Sequence, residues 1–395
     1  MATMSSAEQM RAYRGPAVLR FGFRPFFLLA SLWAVVVMAV FLPMLAGRLD
    51  LPTALAPIDW HVHELLYGYL SAVVAGFLLT SVPNWTGKLP VVGTPLLWLA
   101  SIWLAGRFAM LVSAWIGGLA ASAIDMAFLL ALGFVVAREI FADRTTRNIK
   151  VLAVLGVLIM GNGLFHLEAA ADIGEGHGKR LGVAAAVLLI MLIGGRIVPS
   201  FTRNWLVRRT PGRLPKPFGR FDILVLGVSV VALIAWVFAP DARPTAMFLL
   251  IAALFNLARL ARWAGERTAA EPLVAILHIA YAFVPAGFAL VAISIIRPDI
   301  VAPSGAVHGW TAGAIGLMPL AVMTRTSLNH TGRALTAQRP VVMIYVAAFI
   351  GALARIAAAF GSAPNMLLDV AALCWIAAFM GFLIVYVPLL MRRTA

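Results

Sequence analysis

The sequence predicts an all-α membrane protein of about twelve transmembrane helices, and three observations carry that prediction. The 395 residues are 62% hydrophobic and only 12% charged, whereas a soluble domain is nearer half apolar and about one quarter charged. The apolar residues come in long runs instead of alternating. Each run is near the ~20 residues that cross a ~30 Å hydrocarbon core. An isolated strand would leave its backbone groups unsatisfied in lipid, so runs of this length read as helices.

In chain order the runs occupy 24–46, 62–83, 93–113, 115–141, 148–170, 178–200, 220–239, 244–263, 272–296, 305–325, 340–360 and 364–390. A basic segment, 1–23 with Arg11, Arg14 and Arg20, precedes the first run. No small-residue cleavage site follows that run, so it reads as a retained anchor and not a signal peptide. The second run opens on His61-Val62-His63-Glu64, and Ser113-Ala114-Trp115 is the whole connection between the third and fourth. The fifth carries Asn162, His166 and Glu168, and Gly174-Glu175-Gly176-His177-Gly178 follows it. The longest connection, about 201–219, holds Pro211, Gly212, Pro215 and Pro217 and reads as a hinge between two six-helix halves. The only cysteine, Cys374, lies inside the last run, so no disulfide framework or thiolate metal cluster is expected. Residues 24–395 thus form a single polytopic membrane domain, with no insertion long enough to be a soluble one.

The net charge of +15 invites a nucleic-acid reading, but charge placement argues against it. With a cytoplasmic N-terminus and twelve crossings, most Lys and Arg fall in cytoplasmic loops, the positive-inside pattern. Both termini are therefore expected to be cytoplasmic. The densest loop carries Arg203, Arg208, Arg209, Arg213, Lys216 and Arg220. Topology alone accounts for it, although it could also meet anionic headgroups of the lipid bilayer. Nothing resembles a phosphate loop, a Ser-His-Asp hydrolase site or a soluble dehydrogenase fingerprint.

A second level of order is an internal repeat. His63 is followed 21 residues later by Asn84 in Asn84-Trp85-Thr86-Gly87, and His308 is followed 21 residues later by Asn329 in Asn329-His330-Thr331-Gly332. The next helix of each set carries an arginine, Arg107 or Arg355, and the helix after that an aspartate, Asp125 or Asp369. The middle of the chain keeps Pro199, Thr202, Asn204 and Trp205 but no matching histidine. Because His, Asn, Arg and Asp are rare in membranes, their recurrence suggests three four-helix units, 24–141, 148–263 and 272–390.

The histidines sort by side. His61, His63, His166, His177 and His308 fall at or near the outer face, while His278 and His330 fall towards the cytoplasmic one. Ionisable groups within a membrane are costly and by default mark function. Two residues apart, His61 and His63 do not share a helical face and serve different partners. His63 and His308, facing one another at matched depth, could supply both axial ligands of a haem. Arg107 and Arg355, one helix beyond each histidine, could bind its propionates. Equally, they could pair with Asp125 and Asp369 as structural salt bridges. His61 and His166, with His177 from the following loop, could hold copper, which accepts imidazole nitrogen.

Five motifs together are specific: Gly22-Phe-Arg-Pro-Phe-Phe, Trp60-His-Val-His-Glu-Leu-Leu-Tyr-Gly, Gly76-Phe-Leu-Leu-Thr-Ser-Val-Pro-Asn-Trp-Thr-Gly, Gly195-Arg-Ile-Val-Pro-Ser-Phe-Thr and Met323-Thr-Arg-Thr-Ser-Leu-Asn-His-Thr-Gly. From about residue 20 to the C-terminus the chain resembles the NnrS family. The resemblance implies a bacterial inner-membrane protein with haem (of b type) and copper, linked to nitric oxide metabolism and nitrosative stress. It leaves the reaction open. The repeat is also similar, more distantly, to haem-copper oxidases and nitric oxide reductases. Those proteins arrange twelve helices as three arcs and hold a low-spin haem on histidines of the second and tenth helices. An oxidase-type binuclear centre is not expected, because the sixth and seventh runs contain no histidine.

The expectation is thus a haem- and copper-binding protein that acts on, or responds to, nitric oxide or a nitrosylated metal, with a redox partner. The alternatives are a transporter or metal-handling protein without redox catalysis, and a scaffold that delivers haem or copper.

Overall fold

Twelve helices long and apolar enough to cross a membrane run through the chain in the computed structural model, which describes residues 13–87, 90–142, 148–209, 211–361 and 364–393. Arg11 and its neighbours in the basic N-terminal segment lie outside the described residues. The helices are α1 (Phe23–Leu45), α2 (Pro57–Thr86), α3 (Thr94–Leu111), α4 (Gly118–Phe141), α5 (Ile149–Ala170), α6 (His177–Leu206), α7 (Arg220–Phe238), α8 (Arg243–Ala261), α9 (Pro272–Ile296), α10 (Pro303–His330), α11 (Arg339–Phe360) and α12 (Asn365–Met391). No strand occurs among the described residues. The break between α3 and α4 is a single short turn, Ser113–Ile116, closed by Gly117 at φ +88°, a left-handed backbone that glycine adopts without steric cost.

Three helices run past the apolar spans expected for them. α2 starts at Pro57 and ends at Thr86, α6 ends at Leu206 and α10 at His330. Polar residues such as Asp59, Arg203, Asn204, Arg325 and Asn329 end the hydrophobic signal there. They do not end the helix, whose backbone bonds are internal to the segment. The same three are the most enclosed. Their most apolar windows are 78, 67 and 72% buried, against 33–56% in the other nine. Each also contains one π-helical turn, at Glu64–Tyr69, Ile190–Gly194 and Gly309–Ala314.

A π turn widens the helix and leaves carbonyls that need outside donors. In α2 the carbonyl of Gly68 accepts from Trp103 Nε1 of α3 (3.0 Å) and from Ser71 Oγ (2.9 Å). In α6 the carbonyl of Met191 accepts from Arg259 Nη1 of α8 (3.1 Å). Arg259 also binds Asp222 of α7 (2.8 Å) and Tyr281 of α9 (3.0 Å). A β-carbon on Gly195 would collide with that guanidinium, so a residue without a side chain lets Arg259 lie against the turn.

The chain divides into two compact units. The first comprises Met1–Gly182, His330–Gly332 and Phe382–Ala395, and the second Val183–Asn329 and Arg333–Gly381. The 201–219 connection, expected as a hinge, lies within the second unit. In the first unit, α1 packs along α2, α3 along α4 and α4 along α5. Arg24 ties the start of α1 to the carbonyls of Leu390 and Arg392 (3.1 and 2.9 Å), and the ring of His330 packs tilted against Phe21 and Phe23. The α5–α6 corner is closed by Glu168, whose carboxylate accepts from the amides of His177 (2.7 Å) and Gly178 (2.9 Å) at the start of α6, a capping contact that also favours the helix dipole.

Candidate metal centre

The first unit buries a chain of charged groups at the junction of α2, α3, α4 and α5. His63 and Glu64 enter from α2, Arg107 from α3, Asp125 from α4, and Asn162 and His166 from α5. His63 and Glu64 are fully buried, Arg107 and Asp125 are 2% exposed, and His166 is 8% exposed. Charges persist at such depth only when paired and hydrogen-bonded, and here every one of them has a charged partner.

Glu64 stands at the head of the chain, one residue into the π turn. Its Oε2 accepts from Trp33 Nε1 (2.7 Å) and from Arg107 Nη1 (2.5 Å), and its Oε1 faces His63 Nδ1 (2.9 Å). Arg107 bridges onward, its Nη2 donating to Asp125 Oδ1. The other oxygen of Asp125 collects donors from three directions. Asn162 Nδ2 lies at 2.8 Å, His166 Nε2 at 2.9 Å and His63 Nε2 at 3.3 Å. Asn162 Oδ1 faces the same His63 nitrogen at 3.2 Å. A β-carbon on Gly68 would fall 2.6 Å from Arg107 Nη1, 2.9 Å from Glu64 Oε2 and 2.9 Å from Trp33 Nε1. That position is therefore kept bare so that the three groups can meet over the helix.

Two carboxylates against one guanidinium leave the cluster short of one positive charge. A proton on the imidazoles or a bound cation would supply it. One ligand atom each from His63, Asp125 and His166 lie within 4.8 Å of one another, a set that could hold a metal ion. Two imidazoles and one carboxylate suit copper, iron and zinc better than magnesium or calcium. Glu64 on Nδ1 is the outer carboxylate that fixes the orientation of a ligating imidazole and directs Nε2 inward. The residues present therefore fit a transition metal.

The histidines singled out from the sequence separate in space. His63 and His166 meet, with ring centroids 5.0 Å apart. His61 points elsewhere and stacks on Phe41 (4.0 Å, 20° between planes), as its two-residue offset from His63 requires. His177 turns to Glu168 and Glu175 (3.3 and 3.1 Å). Arg107 takes the salt-bridge alternative with Asp125. The repeat counterpart differs: Arg355 is half-buried, Asp369 is exposed, and the two form no ion pair among the described residues. His308 heads the π turn of α10, where its Nδ1 donates to the carbonyl of Ser304 (2.9 Å). Sequence reasoning placed Asp125 only as the partner of Arg107 and gave Glu64 no role. Adjacency to His63 was the available signal for Glu64, and nothing in the sequence announced Trp33.

The family model described as NnrS protein matches residues 17–393, nearly the whole chain. No curated protein gives a match.

Proposed function

The chain belongs to the NnrS family, and from that premise we propose that it is a haem- and copper-binding inner-membrane protein of nitric oxide metabolism in which His63, Asp125 and His166 hold the copper. The observation that carries the proposal is the buried meeting of these three donors beside a clamped carboxylate. Bound copper would supply one-electron chemistry and a ligation position for nitric oxide or a nitrosylated metal. The chain's own groups do the rest. Glu64 orients His63, Arg107 balances the two carboxylates, and Asn162 holds Asp125 Oδ2. The surrounding apolar helices exclude water, so these interactions are screened little.

A second reading concerns haem. His308 carries its Nδ1 proton on a backbone carbonyl, the arrangement that sets the tautomer of a ligating imidazole, and Arg355 has no carboxylate partner among the described residues. Both features favour iron ligation at His308 with Arg355 on a propionate. The axial pair expected from the sequence also asks for His63, whose Nε2 can serve only one metal, so the two readings compete for it.

Metal analysis and visible spectra of the purified protein separate them. With copper at the three-residue site, His166→Ala and Asp125→Asn lose copper and keep any haem band, while His308→Ala loses or shifts haem and keeps copper. Wild-type protein that takes up no copper under reconstitution would remove the copper proposal. A haem spectrum unaltered in both His63→Ala and His308→Ala would remove the axial pair.

A further inference from the structure

The end of α6, its connection to α7 and the first residue of α7, all in the second unit, present six cations, Arg203, Arg208, Arg209, Arg213, Lys216 and Arg220, all exposed, in a stretch with no acidic residue. Positive-inside topology explains why cations accumulate in such a loop. It does not explain why this loop is held in one shape. Arg267, from the α8–α9 connection, donates to the carbonyls of Arg213 (2.5 Å) and Pro211 (3.2 Å). The amide of Lys216 donates to the carbonyl of Arg262 (3.1 Å). Arg213 reaches back to the carbonyl of Ala261 (2.9 Å) and grips both oxygens of Glu266 (2.6 and 2.7 Å). Those hydrogen bonds hold the Glu266 carboxyl below its usual range.

The neighbouring acids are thereby committed. Glu266 belongs to Arg213, Asp222 to Arg259 and the amide of Gly219 (3.0 Å), and Glu271 to the amides of Leu273 (3.2 Å) and Ala337 (3.1 Å). Arg203, Arg208, Lys216 and Arg220 form no ion pair among the described residues, and Arg209 lies over the Trp205 ring at 5.2 Å. Exposed apolar side chains, Val207 and Phe218, alternate with these cations. The loop starts where α6 ends at Leu206 and finishes where α7 begins at Arg220, so it sits where a membrane-spanning helix meets the headgroup layer. Exposed cations with apolar side chains among them, at the end of a spanning helix, match a phosphate over acyl chains.

We propose that this braced loop is a binding platform for anionic glycerophospholipid headgroups. Arg208, Arg209 and Lys216 take the phosphate, while Val207 and Phe218 enter the acyl boundary. The proposal is independent of the metal centre, which lies in the other unit.

The full chain, reconstituted in vesicles of equal phosphatidylglycerol and phosphatidylcholine and then extracted in mild detergent, is assayed for retained lipid. Each cation near an anionic surface contributes about fivefold in affinity. Phosphatidylglycerol should therefore be enriched several-fold in the wild type. Enrichment should fall towards parity in Arg208→Gln/Arg209→Gln and survive in Arg333→Gln/Arg339→Gln, which removes two exposed cations from another loop. All four positions are exposed, and the single variant Lys216→Gln, expected to lower enrichment in part, repeats the test with a milder change. Equal losses in the two double variants would make the preference a property of total charge and overturn the platform. Enrichment unchanged in both Arg208→Gln/Arg209→Gln and Lys216→Gln would overturn it too. So would displacement of the lipid by millimolar inorganic phosphate, which would mark a free-anion site.

Discussion

His63 is gripped at both ring nitrogens, by Glu64 on one side and by Asn162 and Asp125 on the other. Glu64 does not belong to the donor set, and towards His63 its role is orientation. Loss of such an outer carboxylate costs about 10–100-fold in metal affinity. Glu64→Ala should therefore weaken copper binding by about that factor, and Glu64→Gln, which keeps an acceptor for Nδ1, by less. Copper titration with a competing chelator reads both, and equal affinity in Glu64→Ala and the wild type would contradict the orienting role. Arg107 carries a different load. Removing it leaves Glu64 and Asp125 buried without a counter-charge, and breaking a buried pair in this way costs about 3–5 kcal/mol. Arg107→Gln should lower the unfolding temperature clearly more than His166→Ala does, and thermal unfolding in one detergent compares them. His63, His166, Arg107 and Asp125 were all legible in the sequence as polar residues in apolar runs. The donor role of Asp125 was not, because a carboxylate has two oxygens, and pairing Asp125 with Arg107 accounts for only one of them.

α2 shows what hydropathy cannot reveal about an element. The apolar run 62–83 correctly announced a helix, yet the π turn at Glu64–Tyr69 has no signature in composition. Its cause lies in tertiary contacts: Trp103 takes the Gly68 carbonyl, and Arg107, Glu64 and Trp33 close over the bare Gly68. Gly68→Ala should push these three groups apart and reduce both stability and copper uptake. Wild-type behaviour in both assays would show that the clamp has room to give. That π turns fall in α2, α6 and α10, each second in its expected four-helix set, is consistent with the proposed threefold repeat. The repeat was drawn from His, Asn, Arg and Asp positions, which carry no information about helix type.

The whole molecule was the scale most open to sequence reading, because crossing a membrane imposes long apolar runs whatever the function. About twelve runs were expected, and the described residues contain twelve helices long and apolar enough to cross a membrane. What apolarity could not convey is which helices are enclosed, since lipid and protein interior favour the same side chains. The charge bias carries an expectation still to be tested, that both termini share the cytoplasmic side. In a Cys374→Ser background, Glu175→Cys between α5 and α6 should react with an impermeant thiol reagent added outside, and Lys216→Cys between α6 and α7 should not. The reverse pattern would invert the orientation. The central claim is that the buried His63, Asp125 and His166 hold a transition metal, and copper quantification on purified wild-type and His166→Ala protein, with paramagnetic resonance of the bound ion, tests it most directly. The account predicts one copper per chain with nitrogen hyperfine coupling in the wild type, and loss of both in His166→Ala. Copper bound with an identical spectrum in His166→Ala would contradict it.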